Sequence, residues 1–223
     1  MPAQIAPSTL QFLKDLAANN NRDWFNDNKK TYQEAKENFE AFVDALIAQV
    51  AQFDPSIAHH TAKKVSFRIY RDVRFAKDKS PYKTHFGANL SSAEKRSEIH
   101  TRAGYYIHVA PHETMIAGGA YLPESAWLKN IRGSLASRPE EYLEIINNPT
   151  FVKNFGEIEG EQLKTAPKGY PKDHPQIELL RYKSFLAKST FSSKEVLNAS
   201  FLKQATARCQ ALHPLDEYLN SLV

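Results

Sequence analysis

Ala103-Gly104-Tyr105-Tyr106-Ile107-His108-Val109, a turn at Pro111-His112-Glu113, and Met115-Ile116-Ala117-Gly118-Gly119-Ala120-Tyr121 form the stretch that decides the fold. The two outer runs are apolar and aromatic, and the residues between them are turn formers, so the spacing predicts a β-hairpin. Gly118-Gly119 falls inside the second run, where glycine weakens a strand and marks either a bulge or the close approach of another backbone or a ligand.

Working upstream, Val65 to Phe75 alternates, with Val65, Phe67, Ile69, Val73 and Phe75 on one side and Ser66, Arg68, Tyr70, Asp72 and Arg74 on the other. That pattern predicts a half-buried strand. Arg71 falls on the apolar side, so it must pair with a buried acceptor, sit at a bulge or face a ligand. If its partner is a buried carboxylate, removing Arg71 is expected to cost about 3 to 5 kcal/mol.

Further upstream, Ser8 and Gln11 have capping-box spacing, and Leu10, Leu13 and Leu16 continue a short helix to the Asn19-Asn20-Asn21 run. Tyr32, Phe39, Phe42, Val43, Leu46 and Val50 mark a long amphipathic helix from about Asn28 to Phe53, with Phe25 extending its stripe. Downstream, Pro123-Glu124-Ser125 opens a helix through Arg132, and another follows around Pro139 to Ile146. Pro167, Gly169, Pro171 and Pro175 make Leu163 to Pro175 a constrained loop. Two last helices are expected near Ser193 to Leu212 and Pro214 to Leu222. The expectation is one α+β domain over residues 1–223, a small antiparallel sheet packed by helices, with the C-terminal half mostly helical.

A chain of 223 residues with 42% hydrophobic content can bury a sizeable core without staples. Its one cysteine, Cys209, has no intramolecular partner, and the first twenty residues lack a secretory pattern, so a cytoplasmic address is expected. The longest apolar stretch, Ala41 to Phe53, is interrupted by Asp44, Gln49 and Gln52 and is too short to span a bilayer.

The net charge of +4 is unevenly spread. Residues 63–83 hold eight basic side chains against Asp72 and Asp78, a local +6, which leaves about −2 for the rest. Arg68, Arg71, Arg74, Lys77, Lys79 and Lys83 gathered this closely repel one another unless carboxylates or a ligand anion compensate them. The ligand reading is a pocket for a phosphate- or carboxylate-bearing molecule, with Tyr82 orienting it and Asp72 or Asp78 positioning an arginine or acting as a base. The plain reading is a solvated edge strand. Lys164, Lys168 and Lys172, with Arg181 and Lys183, form a looser second basic group, of which Lys164 is the candidate contributor to that pocket.

No G-x-G-x-x-G, G-x-x-x-x-G-K-[ST] or G-x-S-x-G motif occurs. His108, His112 and Glu113 flank a turn without metal-ligand spacing, so no metal and no cofactor is expected. Two other partners are open. A nucleic acid could use the same charge with Tyr70, Phe75 and Tyr82 as stacking platforms, against which the near-neutral remainder of the chain argues. An acidic protein partner could dock on a scaffold.

Asn20-Asn21-Arg22-Asp23-Trp24-Phe25 and Arg71-Asp72-Val73-Arg74-Phe75-Ala76-Lys77-Asp78-Lys79-Ser80-Pro81-Tyr82-Lys83 resemble a bacterial and fungal family catalogued as a domain of unknown function, number twenty-four sixty-one. Gly104-Tyr105-Tyr106, Gly118-Gly119, Leu163-Lys164 and Pro167-Lys168-Gly169-Tyr170 look like its later blocks. Ala76 departs from the pattern, where a serine is expected. The resemblance implies a fold shared along nearly the whole chain, and no reaction.

Overall fold

The computed structural model describes residues 3–93 and 98–223. Among the described residues, ten α-helices and one four-stranded antiparallel sheet take 48% and 15% of the chain, which makes the class α+β. The strands are β1 (Phe86–Ser91), β2 (Gly104–Val109), β3 (Thr114–Ala120) and β4 (Phe185–Phe191), hydrogen-bonded in the order β1-β2-β3-β4. The expected hairpin is β2 and β3. No helix among the described residues is long and apolar enough to cross a membrane.

The chain divides into two compact units. The first comprises Met1–Leu90, Tyr106–Ile116 and Thr190–Ala207. It contains α1 (Pro7–Ala18), α2 (Arg22–Asp27), α3 (Lys29–Val50), the single turn α4 (Ala62–Val65), α9 (Ser193–Val196) and the start of α10 (Phe201–Asn220). The helical stripe on α3 is buried as its periodicity requires, through Phe39, Phe42, Val43, Leu46 and Val50. Aromatic rings carry the packing: Phe39 lies 5.4 Å from Phe86, and Phe42 lies 5.0 Å from Phe201, both stacked.

Two helix starts differ from expectation. The Ser8–Gln11 capping box does not form. Instead α1 begins at Pro7, and the Asn38 carboxamide oxygen on α3 accepts from the Ala6 backbone N–H at 2.9 Å and the Thr9 hydroxyl at 2.7 Å. These bonds tie the start of α1 to α3, and proline at the first helical position leaves one orphan donor fewer to be met there. Phe25 belongs to the separate helix α2, which the Asn21 side chain caps by accepting from the Trp24 N–H.

The second unit comprises Ser91–Tyr105, Ala117–Ser189 and Arg208–Val223. It holds α5 (Ser125–Ser137), α6 (Glu140–Asn147), α7 (Pro149–Phe155), α8 (Ile177–Leu180) and the remainder of α10. The buried Tyr142 ring meets Phe185 edge-on at 6.2 Å, and the Trp127 indole N–H donates to the Leu219 carbonyl at 2.9 Å. The loop from Leu163 to Pro175 is free of helix, as its prolines and glycine require. The two final helices expected on either side of Pro214 are in fact the short α9 and one continuous α10 with Pro214 inside it.

Val65–Phe75 is not a strand. Val65 closes α4, and only Ser66 and Tyr70 make isolated antiparallel bridges, to Ala88 and Tyr82. The alternation holds only from Arg68 to Tyr70: Ile69 is buried between exposed Arg68 and Tyr70, whereas Ser66, expected on the polar side, is buried, and Phe67 and Arg71 are half-buried. Pro81 lacks the N–H a continuing ladder needs, so pairing stops beyond Arg71, where the Arg71 N–H still reaches the Pro81 carbonyl at 2.9 Å.

Gly119 explains the glycine pair. Its φ is +108°, and a Cβ there would stand 2.0 Å from the carbonyl oxygen of Phe185 on β4. The pair thus marks the close approach of another backbone rather than a ligand. Gly119→Ala is expected to lower stability by about 2 kcal/mol or more, since strain and a backbone clash add. Gly133→Ala, on α5 with open space around the position, should raise it by about 0.5 to 1 kcal/mol. Urea unfolding midpoints of the two variants check both the opposite signs and the sizes.

Candidate functional site

Two segments far apart in sequence build the site in the first unit. The Asn20 carboxamide donates to the Tyr82 carbonyl at 2.9 Å and accepts from the Tyr82 N–H at 3.1 Å. Beneath this clamp the Phe25 and Tyr82 rings stack at 4.0 Å with 14° between their planes. Tyr82 is therefore a buried structural ring that borders the site, and its backbone is the part that is held.

Beside the clamp lies a cleft of about 320 Å³ lined by Ala17, Asn20, Arg71, Asp78, Ser80, Tyr82, Lys83, Thr84 and His85. Arg71 donates through one terminal nitrogen to Asp78 at 2.5 Å and to the Ser80 carbonyl at 3.2 Å. Asp78 also accepts from the Ser80 N–H and hydroxyl, at 2.9 and 2.6 Å. Those two Ser80 bonds, then Arg71, hold its carboxyl well below the usual carboxylate range. The Lys83 ammonium sits 5.2 Å from the centre of the Phe67 ring.

Asp72 and Arg74 form a separate exposed pair, with Arg74 Nε at 3.0 Å and Nη2 at 2.7 Å from the two carboxylate oxygens. The hydrogen bond from Arg74 is the main cause that lowers Asp72 to about 2. Both aspartates are thus lowered as proton acceptors and are each engaged with one arginine. Lys79 donates to the carbonyls of Val73 and Arg74 at 3.0 and 3.4 Å, bracing the loop.

Of the ten candidate residues, the cleft brings together Arg71, Asp78, Tyr82 and Lys83. Arg68, Asp72, Arg74, Lys77 and Lys79 are exposed and do not line it, and Ala76 does not either. Lys164 is exposed in the second unit and is not among the lining residues.

His85, which the charge pattern did not single out, lines the cleft and stacks on His108 at 4.1 Å. His108 Nδ1 is 3.2 Å from the Tyr106 hydroxyl, which lies against Gly87, where a Cβ would come within 2.7 Å of it. Burial first, then His108 and Lys83, push His85 down to about 4, and burial likewise lowers His108. An imidazole neutral at pH 7 therefore faces a cationic cleft. The available signal was its place two residues beyond the basic block. No group of three or more His, Cys, Asp or Glu able to hold a metal ion occurs among the described residues.

The geometry lowers the cost expected for removing Arg71 and makes Asn20 the more costly loss. The Asp78 side chain is 62% exposed and keeps its Ser80 bonds, so Arg71→Ala strands no buried charge. Its expected cost is about 1 kcal/mol rather than 3 to 5. Asn20→Ala leaves two part-buried backbone groups of Tyr82 without their partner and is expected to cost about 2 kcal/mol. Thermal and urea melts of both variants measure the order.

A family model described as a conserved hypothetical protein, DUF2461, matches residues 8–218. No curated protein and no solved structure matches the chain. The chain belongs to the DUF2461 family.

Proposed function

We propose that the cleft beside Asn20 and Tyr82 binds a small ligand through a single phosphate or carboxylate group. The observation that carries this reading is that Arg71 and Lys83 line one cleft in which Asp78 is the sole acidic lining residue among the described residues. Arg71 spends one terminal nitrogen on Asp78 and Ser80, and its Nε and Nη2 donate to no group among the described residues. That edge of the guanidinium is the fork that matches a carboxylate or phosphate. Thr84 and Asn20 add polar groups at the rim, and a volume of about 320 Å³ suits a small ligand.

His85 gives the site a pH signature. An anion bound beside it favours the imidazolium, so binding raises its pKa from about 4 and takes up a proton. Affinity therefore rises as pH falls from 7.5 towards 5. In the free protein the depressed pKa acts the other way: stability present above the ordinary histidine value of 6.5 is lost as pH falls from 6.5 to about 4. Among the described residues, His108 and Lys83 act on His85 directly, and Arg71, Asp78 and Tyr82 are the other charged or titratable groups that line its cleft.

Sulfate, which does not titrate in this range, is the probe. It is expected to raise the melting temperature of the parent above that in chloride of equal ionic strength, and more at pH 5.5 than at pH 7.5. Lys83→Ala should remove the effect, Arg71→Lys should weaken it, and His85→Asn should remove its pH dependence. A parent protein that sulfate does not stabilise at either pH would defeat the reading.

A further inference from the structure

We propose that the loop carrying Tyr70 and Phe75 is a docking surface for single-stranded nucleic acid, on which bases stack against the two exposed rings while the surrounding cations meet phosphates. This surface is distinct from the cleft: neither ring lines it. Phe75 is 95% exposed and Tyr70 49%, the former more than any other large apolar side chain among the described residues. A lone exposed apolar residue is ordinary. Here the ring belongs to a segment that carries six exposed cations, Lys63, Lys64, Arg68, Arg74, Lys77 and Lys79, of which Arg74 meets the ring itself.

Arg68 and Arg74 both act on Asp72, and Lys63, Lys64 and Lys77 make no ion pair among the described residues. Among the described residues, only Arg74 of these six has a carboxylate partner within ion-pair distance. Lys79 bonds two carbonyls, which fix its position without neutralising it. Those bonds and the Asp72–Arg74 pair also brace the loop, so the aromatic tip is presented on a shaped turn. The Arg74 guanidinium lies 5.9 Å from the centre of the Phe75 ring, the cation and π pairing that base stacking platforms use.

Two macromolecular partners carry dense negative charge, and the ring geometry separates them. An anionic bilayer needs apolar side chains free to insert, and only Phe75 qualifies, because Tyr70 is packed edge-on against Phe25 at 5.9 Å and tilted against Tyr82 at 5.5 Å. One inserted ring makes a weak anchor. A ring held from one side with its remainder open suits a stacked base. Unpaired bases offer the π faces that a duplex hides, which selects a single strand.

The test is fluorescence anisotropy with a labelled short oligothymidylate, an abasic oligomer with the same number of phosphates, and phosphatidylserine vesicles. The parent should bind the oligothymidylate at low salt and more tightly than the abasic oligomer. Phe75→Ala, at a fully solvated position, should weaken oligothymidylate binding by roughly fivefold or more and leave abasic binding unchanged. Phe75→Trp should restore it, and Lys77→Ala should reduce the slope of log K against log salt by about 0.7. Equal affinity for the abasic oligomer, an unchanged Phe75→Ala, or absence of oligonucleotide binding at low salt would overturn the assignment. So would capture by the vesicles without oligonucleotide binding, which would transfer the surface to a membrane.

Discussion

The two hydrogen bonds between the Asn20 carboxamide and the backbone of Tyr82 are the constraint on which the rest of the site depends. Tyr82 faces Tyr70 across an isolated bridge, where the Arg71 N–H and the Lys83 N–H bond the Pro81 and Ile69 carbonyls. Those bonds leave the N–H and C=O of Tyr82 itself directed away from Tyr70, as an edge strand leaves alternate groups. A single carboxamide, one donor and one acceptor on a rigid plane, satisfies both. Asn20 thus does for this edge what another strand would do, and it adds no surface on which further pairing could grow. Phe25, five residues on, secures the same contact from below by stacking on the Tyr82 ring.

With that edge closed, the basic block divides into parts of different character. Asp72 and Asp78 each hold one arginine, and each pair is closed over a short span, so the loop carries its own counter-charges. Arg71 is fixed at the cleft by Asp78 and Ser80, and Lys83 by its place beside Phe67. Exposed pairs of this kind contribute little to stability because water already solvates both partners. Their effect is positional. They set the direction of Arg71 and the shape of the turn that ends in Phe75, while the remaining cations keep their charge in solvent.

Elements with strong periodicity were legible from the sequence. The β2–β3 hairpin and the buried stripe of α3 follow from alternation and from i, i+3, i+4 spacing, and neither depends on distant residues. Strand β1 was hidden for the opposite reason: Phe86, Gly87, Ala88 and Leu90 are buried alike, so no polar face alternates with an apolar one. β4 does alternate, with Phe185, Ala187, Ser189 and Phe191 buried, but its seven residues lie in a stretch otherwise read as helical. Val65–Phe75 erred the other way. Its alternation survives only around Ile69, with Arg71 half-buried and Phe75 exposed, because a strand also needs a partner able to hydrogen-bond along its length. Pro81 ends that supply. Likewise Ser8 and Gln11 had the spacing of a capping box, yet the helix starts at Pro7, and Asn38, about thirty positions away, ties that start to α3 instead.

The site was legible in its charge and illegible in its selection. Counting cations identified the block but ranked its members equally, since composition does not say which arginine an aspartate two or seven residues away will occupy. Asp72 takes the exposed Arg74 and Asp78 the half-buried Arg71, and this division leaves only Arg71 and Lys83 of the expected cations at the cleft. His85 enters for a reason no charge count contains. Its ring is lodged against His108, whose Nδ1 meets the Tyr106 hydroxyl, and that hydroxyl occupies the space a side chain at residue 87 would take. A glycine in β1 therefore admits the hydroxyl on β2 that holds one imidazole, against which a second stacks at the cleft wall. Each link is a packing contact, so the place of His85 at the cleft wall follows from which side chains fit around it rather than from the charge pattern of the basic block.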